Sequence, residues 1–156
     1  MISLRSILVF ATIFLGFLLE NFLLQFTLPF KVYLGIGTLV FSYWVYAIPE
    51  SIHAFIALIY GLLIDLFLGQ AIGFYALSFV LLTYLIHIYV FTFRLFSHIQ
   101  LSIFFSGITT FVMAVHYLVF SPNHYSYFLL FISFIANMGA WLFVYFSLRA
   151  FRRKFY

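Results

Sequence analysis

Residues 61–93 read GLLIDLFLGQAIGFYALSFVLLTYLIHIYVFTF, and this stretch decides the fold class. It contains one acidic residue, Asp65, and neither lysine nor arginine. Its second part, residues 74–93, is predominantly apolar and contains no Asp, Glu, Lys or Arg. Because the hydrocarbon core of a bilayer is crossed by about 20 helical residues, this part predicts a membrane-spanning helix.

The rest of the chain has the same character. Its 156 residues are 67% hydrophobic and 6% charged, whereas roughly a quarter of the residues in soluble domains carry charge. A chain of this length keeps much of its surface exposed after folding, and an apolar surface of that size must face lipid. We therefore expect an all-α integral membrane protein, because helices satisfy their own backbone hydrogen bonds in lipid.

Apolar stretches between polar or helix-breaking residues predict six transmembrane helices in one compact bundle, with residues 1–156 as a single domain. The second stretch is the least regular, because it is short and contains Gly35 and Gly37. A tilted, kinked or partly re-entrant segment fits it as well as a full crossing does. The predicted spans are about 6–26, 32–48, 51–68, 74–93, 99–120 and 127–148, followed by a basic tail at 149–156.

The basic residues predict the orientation. With six crossings and a cytoplasmic amino terminus, Arg5, Arg94 and the basic cluster at 149–154 lie inside, and only Lys31 lies outside, as the positive-inside rule favours. Five crossings would export the basic tail. We therefore expect a multi-pass protein with both termini in the cytoplasm. The cluster suits anionic lipid headgroups, and no basic stripe elsewhere indicates a nucleic-acid partner.

Asp65 is the most informative polar residue. It belongs to the pattern Gly61-x-x-x-Asp65-x-x-x-Gly69-x-x-x-Gly73, whose four-residue spacing puts the helical members on one face. Glycines on such a face let two helix backbones approach closely. Two hypotheses stay open for Asp65: a hydrogen-bonded acid that fixes helix packing, and a contact to a partner or ligand.

The two other acids suggest local roles. Glu50 follows Pro49 in the turn before the third span, which is typical of a helix start with an acid near the positive end of the helix dipole. A contact to a cytoplasmic partner is the alternative. Glu20 lies near the outer end of the first span, and a cluster of Glu20, Asp65 and Lys31 is a further hypothesis.

No pattern in the chain points to catalysis. The sequence has no cysteine, its histidines lack metal-ligand spacing, and neither an activated nucleophile nor a phosphate-binding glycine loop is present. We expect no enzymatic activity, no cofactor and no metal. Asn137, beside Gly139, predicts helix-to-helix packing. Aromatic residues near the span ends are typical of interfacial belts, namely Tyr33, Trp44, Tyr125 and Tyr127.

Three features lie between about residues 43 and 95. They are the segment Trp44-Val45-Tyr46-Ala47-Ile48-Pro49, the run Gly61-Leu62-Leu63-Ile64-Asp65-Leu66-Phe67-Leu68-Gly69, and Gly73, which opens a long apolar helix closed by Phe93-Arg94. Together with the length, hydropathy and basic tail of the chain, they resemble the bacterial rod-shape-determining MreD family.

The resemblance implies a non-enzymatic subunit of the cell-elongation complex in the bacterial cytoplasmic (inner) membrane. Such a subunit binds the single-span protein MreC and helps to maintain rod shape and lateral peptidoglycan synthesis. The wider complex couples actin-like MreB filaments to RodA and a penicillin-binding transpeptidase. Gly61, Asp65 and Gly69 match motif positions of the family, without a catalytic role. The chain departs from familiar members in being rich in Phe and Tyr and poor in acids.

The resemblance also implies a fold similar to the six-helix substrate-binding subunits of energy-coupling-factor vitamin transporters. A vitamin-binding transporter subunit is therefore the alternative function, although such subunits typically carry an Ala-x-x-x-Ala stripe where this chain has Ala11 and Leu15. A small channel or proton-coupled carrier would need more intramembrane charges. The candidate packing or partner contacts are Gly61, Asp65, Gly69, Gly73, Glu20, Glu50, Trp44 and Pro49.

Overall fold

The computed structural model describes residues 4–30, 32–69, 72–120 and 126–155. Within these ranges the chain forms six α-helices and no β-strand, which confirms the prediction of an all-α protein with six helices. A short 3-10 turn, Leu28–Phe30, follows the first helix. The helices are α1 Leu4–Thr27, α2 Ile36–Ala47, α3 Ala54–Leu68, α4 Phe74–Phe93, α5 His98–Phe120 and α6 Tyr127–Phe155.

Four helices in the described ranges, α1, α4, α5 and α6, are long and apolar enough to cross a membrane. The other two are apolar but shorter, with 12 residues in α2 and 15 in α3. At 1.5 Å per residue these helices span about 18 and 22 Å, against about 30 Å for a bilayer core. The chain is a multi-pass membrane protein, and six complete crossings remain a prediction.

The starts of α2 and α3 differ from the predicted boundaries. Residues 32–35 are irregular and α2 begins at Ile36 instead of residue 32. The third helix begins at Ala54 instead of residue 51, after His53 in an extended N-cap conformation. No acid lies in the first turn of α3. Glu50 lies in the turn before α3, as predicted, but the expectation that it stands at the helix start is wrong, because it lies three residues before the N-cap residue His53.

The basic end of the chain continues α6. The helix runs through Arg152, Arg153 and Lys154 to Phe155, so the described part of the predicted tail at 149–156 is helical. Lysine and arginine are good helix formers, and positive charge in the last turn is favourable at the negative end of the helix dipole. The basic residues therefore stand on a rigid extension of a membrane helix.

The chain divides into two compact units. Unit 1 comprises Met1–Val40 and Ser97–Tyr156, and unit 2 comprises Phe41–Phe96. Aromatic stacking marks the core of each. In unit 1 the rings of Phe105 and Trp141 stack at 4.2 Å between α5 and α6. In unit 2 the rings of Phe41 and Phe79 stack at 3.8 Å, and both residues are fully buried.

The α3–α4 hairpin of unit 2 depends on a close backbone approach at Gly61. A Cβ atom at this position would overlap the backbone of Ala76, at the start of α4. Backbone cannot move aside as a flexible side chain can, so glycine is required where the two helices meet.

We predict that Gly61→Ala lowers the free energy of unfolding by about 1–3 kcal/mol, because it overpacks this contact. Gly107→Ala is the matched control, since its Cβ would lie 3.7 Å from Phe134, an ordinary van der Waals distance. Unfolding in mixed micelles of mild detergent and dodecyl sulfate measures both. Equal stability of the two variants would contradict the close contact.

Candidate functional site

The Asp65 carboxylate in α3 binds the start of α4. Its Oδ2 atom accepts the N–H groups of Gly73 at 2.9 Å and Ala76 at 3.2 Å, and Oδ1 accepts the N–H of Tyr75 at 3.0 Å. N–H groups at a helix start have no acceptor within their own helix, and Asp65 is fully buried. The carboxylate therefore supplies acceptors that water cannot, and it puts negative charge at the positive end of the α4 dipole.

The glycines of the motif shape this contact. Gly61 precedes Asp65 by one turn on the same face of α3, as the spacing predicts, and brings α4 within reach of the carboxylate. Gly69 ends α3 with φ +62° and Gly73 begins α4 with φ +107°. Both conformations are left-handed and favour glycine. Gly69 and Gly73 therefore lie outside α3 and form the turn instead of extending the glycine face.

Glu20 makes an equivalent contact at the start of α2. Its Oε2 atom accepts the N–H of Gly37 at 3.0 Å, and Gly37 is the second residue of α2. Gly16, one turn before Glu20, lies against the same point, because a Cβ there would be 3.3 Å from the Gly37 Cα and 3.1 Å from Val40 Cγ2. The same pattern, a glycine followed four residues later by an acid, therefore occurs in α1 and in α3, and in each case it holds the start of the next helix.

Gly16 and Gly37 were not among the predicted site residues. A sequence signal for the first of them exists, because Gly16 and Glu20 have the same four-residue spacing as Gly61 and Asp65. The sequence indicates Gly37 only as a sign of an irregular second stretch and not as a partner of Glu20, since Gly37 presents a backbone N–H to a residue of another helix.

Polar side chains of α6 hold the irregular segment before α2. Ser133 Oγ accepts the N–H of Tyr33, and Asn137 Oδ1 accepts the N–H of Gly35, both at 3.0 Å. Asn137 Nδ2 donates to the Tyr33 carbonyl at 3.3 Å and to Thr110 Oγ1 in α5 at 3.4 Å. Irregular backbone is tolerated at membrane depth only where its polar groups are bound. Ser133 and Asn137 therefore allow α2 to begin late, and Asn137 also makes the expected contact between helices.

The turn between α2 and α3 is fixed from α4. His87 Nε2 donates to the Pro49 carbonyl at 2.9 Å, and Glu50 in the same turn is exposed. Pro49 thus takes part in the packing of unit 2.

The aromatic residues assigned to interfacial belts have different environments. Trp44 is 1% exposed, so its assignment to a belt is wrong and it belongs to the core. Tyr33 lies against Tyr117, with ring centroids 4.2 Å apart, and Tyr127 is 81% exposed. Tyr125 lies outside the described residues.

The hypothesis of a Glu20, Asp65 and Lys31 cluster stays open. Lys31 lies outside the described residues. Glu20 belongs to unit 1 and Asp65 to unit 2, and each binds backbone N–H groups of its own unit. Within the described ranges, no group of three or more His, Asp and Glu side chains could hold a metal ion. Both carboxylates act as hydrogen-bond acceptors that join one helix to the next.

Comparisons with protein-family models, with curated proteins and with solved structures find no match. The fold and the two carboxylate contacts define the class of the chain as an all-helical, multi-pass membrane protein in which acids of α1 and α3 hold the starts of α2 and α4.

We predict that Asp65→Ala lowers the free energy of unfolding by about 3 kcal/mol or more, because it leaves three backbone donors unsatisfied, each costing about 1–3 kcal/mol. Asp65→Asn has a smaller effect, since its remaining carbonyl oxygen can accept the two N–H groups that Oδ2 binds.

The control is Glu50→Ala, which removes an exposed acid from a turn of the same unit. The same mixed-micelle unfolding measures all three variants, and the expected order of stability is Glu50→Ala, then Asp65→Asn, then Asp65→Ala. An Asp65→Ala protein as stable as the Glu50→Ala protein would show that the carboxylate does not hold α4.

Proposed function

We propose that the chain is a non-enzymatic membrane subunit of the bacterial cell-elongation complex, which binds MreC and helps to maintain rod shape and lateral peptidoglycan synthesis. One observation carries the proposal. The residues on which the resemblance to the MreD family rests all lie in unit 2, in which Trp44 is buried, Pro49 binds His87, and Asp65 holds α4.

The surface of unit 2 supports a binding function. A hairpin fixed by Asp65 presents its outward side chains in one arrangement, and preorganisation of this kind lowers the entropy cost of binding a partner. Its outward residues are large and apolar, as a lateral contact with the membrane span of MreC needs. The most exposed on α3 and α4 are Phe55, Leu66, Phe67, Leu77, Tyr84 and Phe91, each at least 63% exposed.

Six crossings in the bacterial cytoplasmic membrane, with both termini in the cytoplasm, are part of the proposal. The reach of α2 supports it. The helix contributes about 18 Å and the irregular residues 32–35 add up to about 13 Å, which together approach the bilayer core of about 30 Å. The basic end of α6 supports a cytoplasmic carboxy terminus.

We predict the labelling pattern of single cysteines, which the cysteine-free sequence allows without background. Pro29→Cys and Ile72→Cys should react with a membrane-impermeant maleimide in intact cells. Ser51→Cys and Ser97→Cys should react only after the cells are opened. All four positions are exposed on connections between helices, so labelling of Ser97→Cys in intact cells would contradict the proposed topology.

Co-purification with MreC tests the function directly. The tagged chain, expressed with MreC from the same bacterium and extracted in mild detergent, should retain MreC through affinity purification, while an unrelated multi-pass protein with the same tag should not. Depletion of the chain should round the cells. Absence of MreC together with unchanged cell shape would contradict the proposal.

The alternative, a vitamin-binding transporter subunit, is favoured by one observation. Unit 1 contains a groove with a cavity volume of about 660 Å³, which is in the range of small-molecule sites. Capture of a vitamin by the purified chain at nanomolar concentration would support this function, and the same chain would then fail to retain MreC.

A further inference from the structure

The groove of unit 1 runs between α1 and α6, with the beginning of α2 beneath it. Its floor consists of Gly16, Val40 and Val144, which are all buried. Leu19 and Phe143 form parts of its rim and are 53% and 74% exposed. The groove is therefore open along its length to the surroundings of the helices, which in a membrane are lipid chains.

The depth of the groove comes from small residues of α6. Ala136, Gly139 and Ala140 line it, and a Cβ atom at Gly139 would meet nothing within 4 Å. A stripe of small residues usually lets another helix pack closely, so the polarity along α6 beyond the groove decides which occupant fits.

A cavity volume of about 660 Å³, over a length of about 17 Å from Thr12 to Leu23 at 1.5 Å per residue, gives a mean cross-section of about 40 Å². Hydrocarbon chains touch at carbon–carbon distances of about 4 Å. The groove is therefore wide enough for one or two extended acyl chains.

The two ends of the groove differ in polarity. Glu20 of α1 binds Gly37 and Asn137 of α6 binds Gly35, so these two positions lie at the same end of the groove. Leucine, isoleucine and alanine line the groove at this end. Thr12 and Ser147 lie at the opposite end and are the two hydroxyl residues among its described lining.

The polar end of the groove leads to the basic end of α6. Lys154 is exposed and lies two helical turns after Ser147 on the same face of the helix. Arg152 and Arg153 are adjacent to it in the last turn of α6. The surface thus changes along α6 from apolar, through hydroxyl-bearing, to positively charged. A phospholipid with a negative headgroup matches this order, because its apolar acyl chains are followed by glycerol and then by a negatively charged phosphate.

We propose that this groove binds one anionic phospholipid, with an acyl chain beside Gly139 and the phosphate against the basic residues 152–154 at the end of α6. Charge-assisted hydrogen bonds from arginine and lysine to phosphate select the headgroup, while the apolar floor holds the chain. The site does not depend on the proposed role in cell elongation.

Native mass spectrometry of the purified chain, titrated with phosphatidylglycerol or with phosphatidylcholine of the same chains, tests the site. The chain should bind one phosphatidylglycerol at least about tenfold more tightly than phosphatidylcholine. Gly139→Phe should remove this tight binding, because the new ring occupies the groove. Ala11→Phe is the matched control: it adds the same ring to an exposed position of α1 outside the groove and should bind as the unchanged chain does.

A second variant separates the headgroup from the chain. Replacing Arg152, Arg153 and Lys154 by glutamine should abolish the preference for phosphatidylglycerol and leave weak binding of both lipids. Glycerol phosphate, which has the anionic group without chains, should not bind measurably. If Gly139→Phe loses its helical circular dichroism, Gly139→Leu takes its place. Equal affinity for the two lipids, tight phosphatidylglycerol binding by the groove-filling variant, or binding of glycerol phosphate would each overturn the site.

Discussion

The first turns of α2 and α4 depend on hydrogen-bond acceptors that their own helices cannot supply. Water does not reach N–H groups that are buried in the protein, so the buried first turn of a helix needs an acceptor from elsewhere in the protein. Asp65 provides it for α4 and Glu20 for α2. In both cases a glycine one turn earlier allows the approach, and without these contacts N–H groups in the first turns of α2 and α4 would lose their acceptors.

This constraint also decides which residues are left for function. Glu20 and Asp65 bind backbone, and Asn137 holds the segment before α2, so these polar groups maintain the architecture. The surfaces that remain are the apolar outer faces of the helices and the basic end of α6. Binding of a partner helix and binding of an anionic lipid both use such surfaces, and both take place laterally within the membrane.

The limits of α4 and α5 could be predicted from the sequence almost to the residue, because a long apolar run between turns can satisfy its backbone only as a helix. The burial of Trp44 could not be predicted from the sequence. In a membrane protein the core and the lipid are both apolar, so hydropathy does not distinguish a buried tryptophan from one at the interface. The predicted starts of α2 and α3 lie too early. Apolar residues continue through residues 32–34 before α2, and the pattern Pro49-Glu50-Ser51 is typical of a helix start although α3 begins only at Ala54.

Composition and residue spacing are enough to establish the membrane environment, the helical class and the common face of Gly61 and Asp65. The binding partners of Asp65 and Glu20 follow only from the packing of the helices. Their partners are backbone N–H groups, which every residue except proline carries and which no sequence pattern distinguishes. The contact between Ser133 and Tyr33 joins residues 100 positions apart. Only the packing of α6 against the segment before α2 brings them together, because local spacing fixes the face of a helix but not its neighbour.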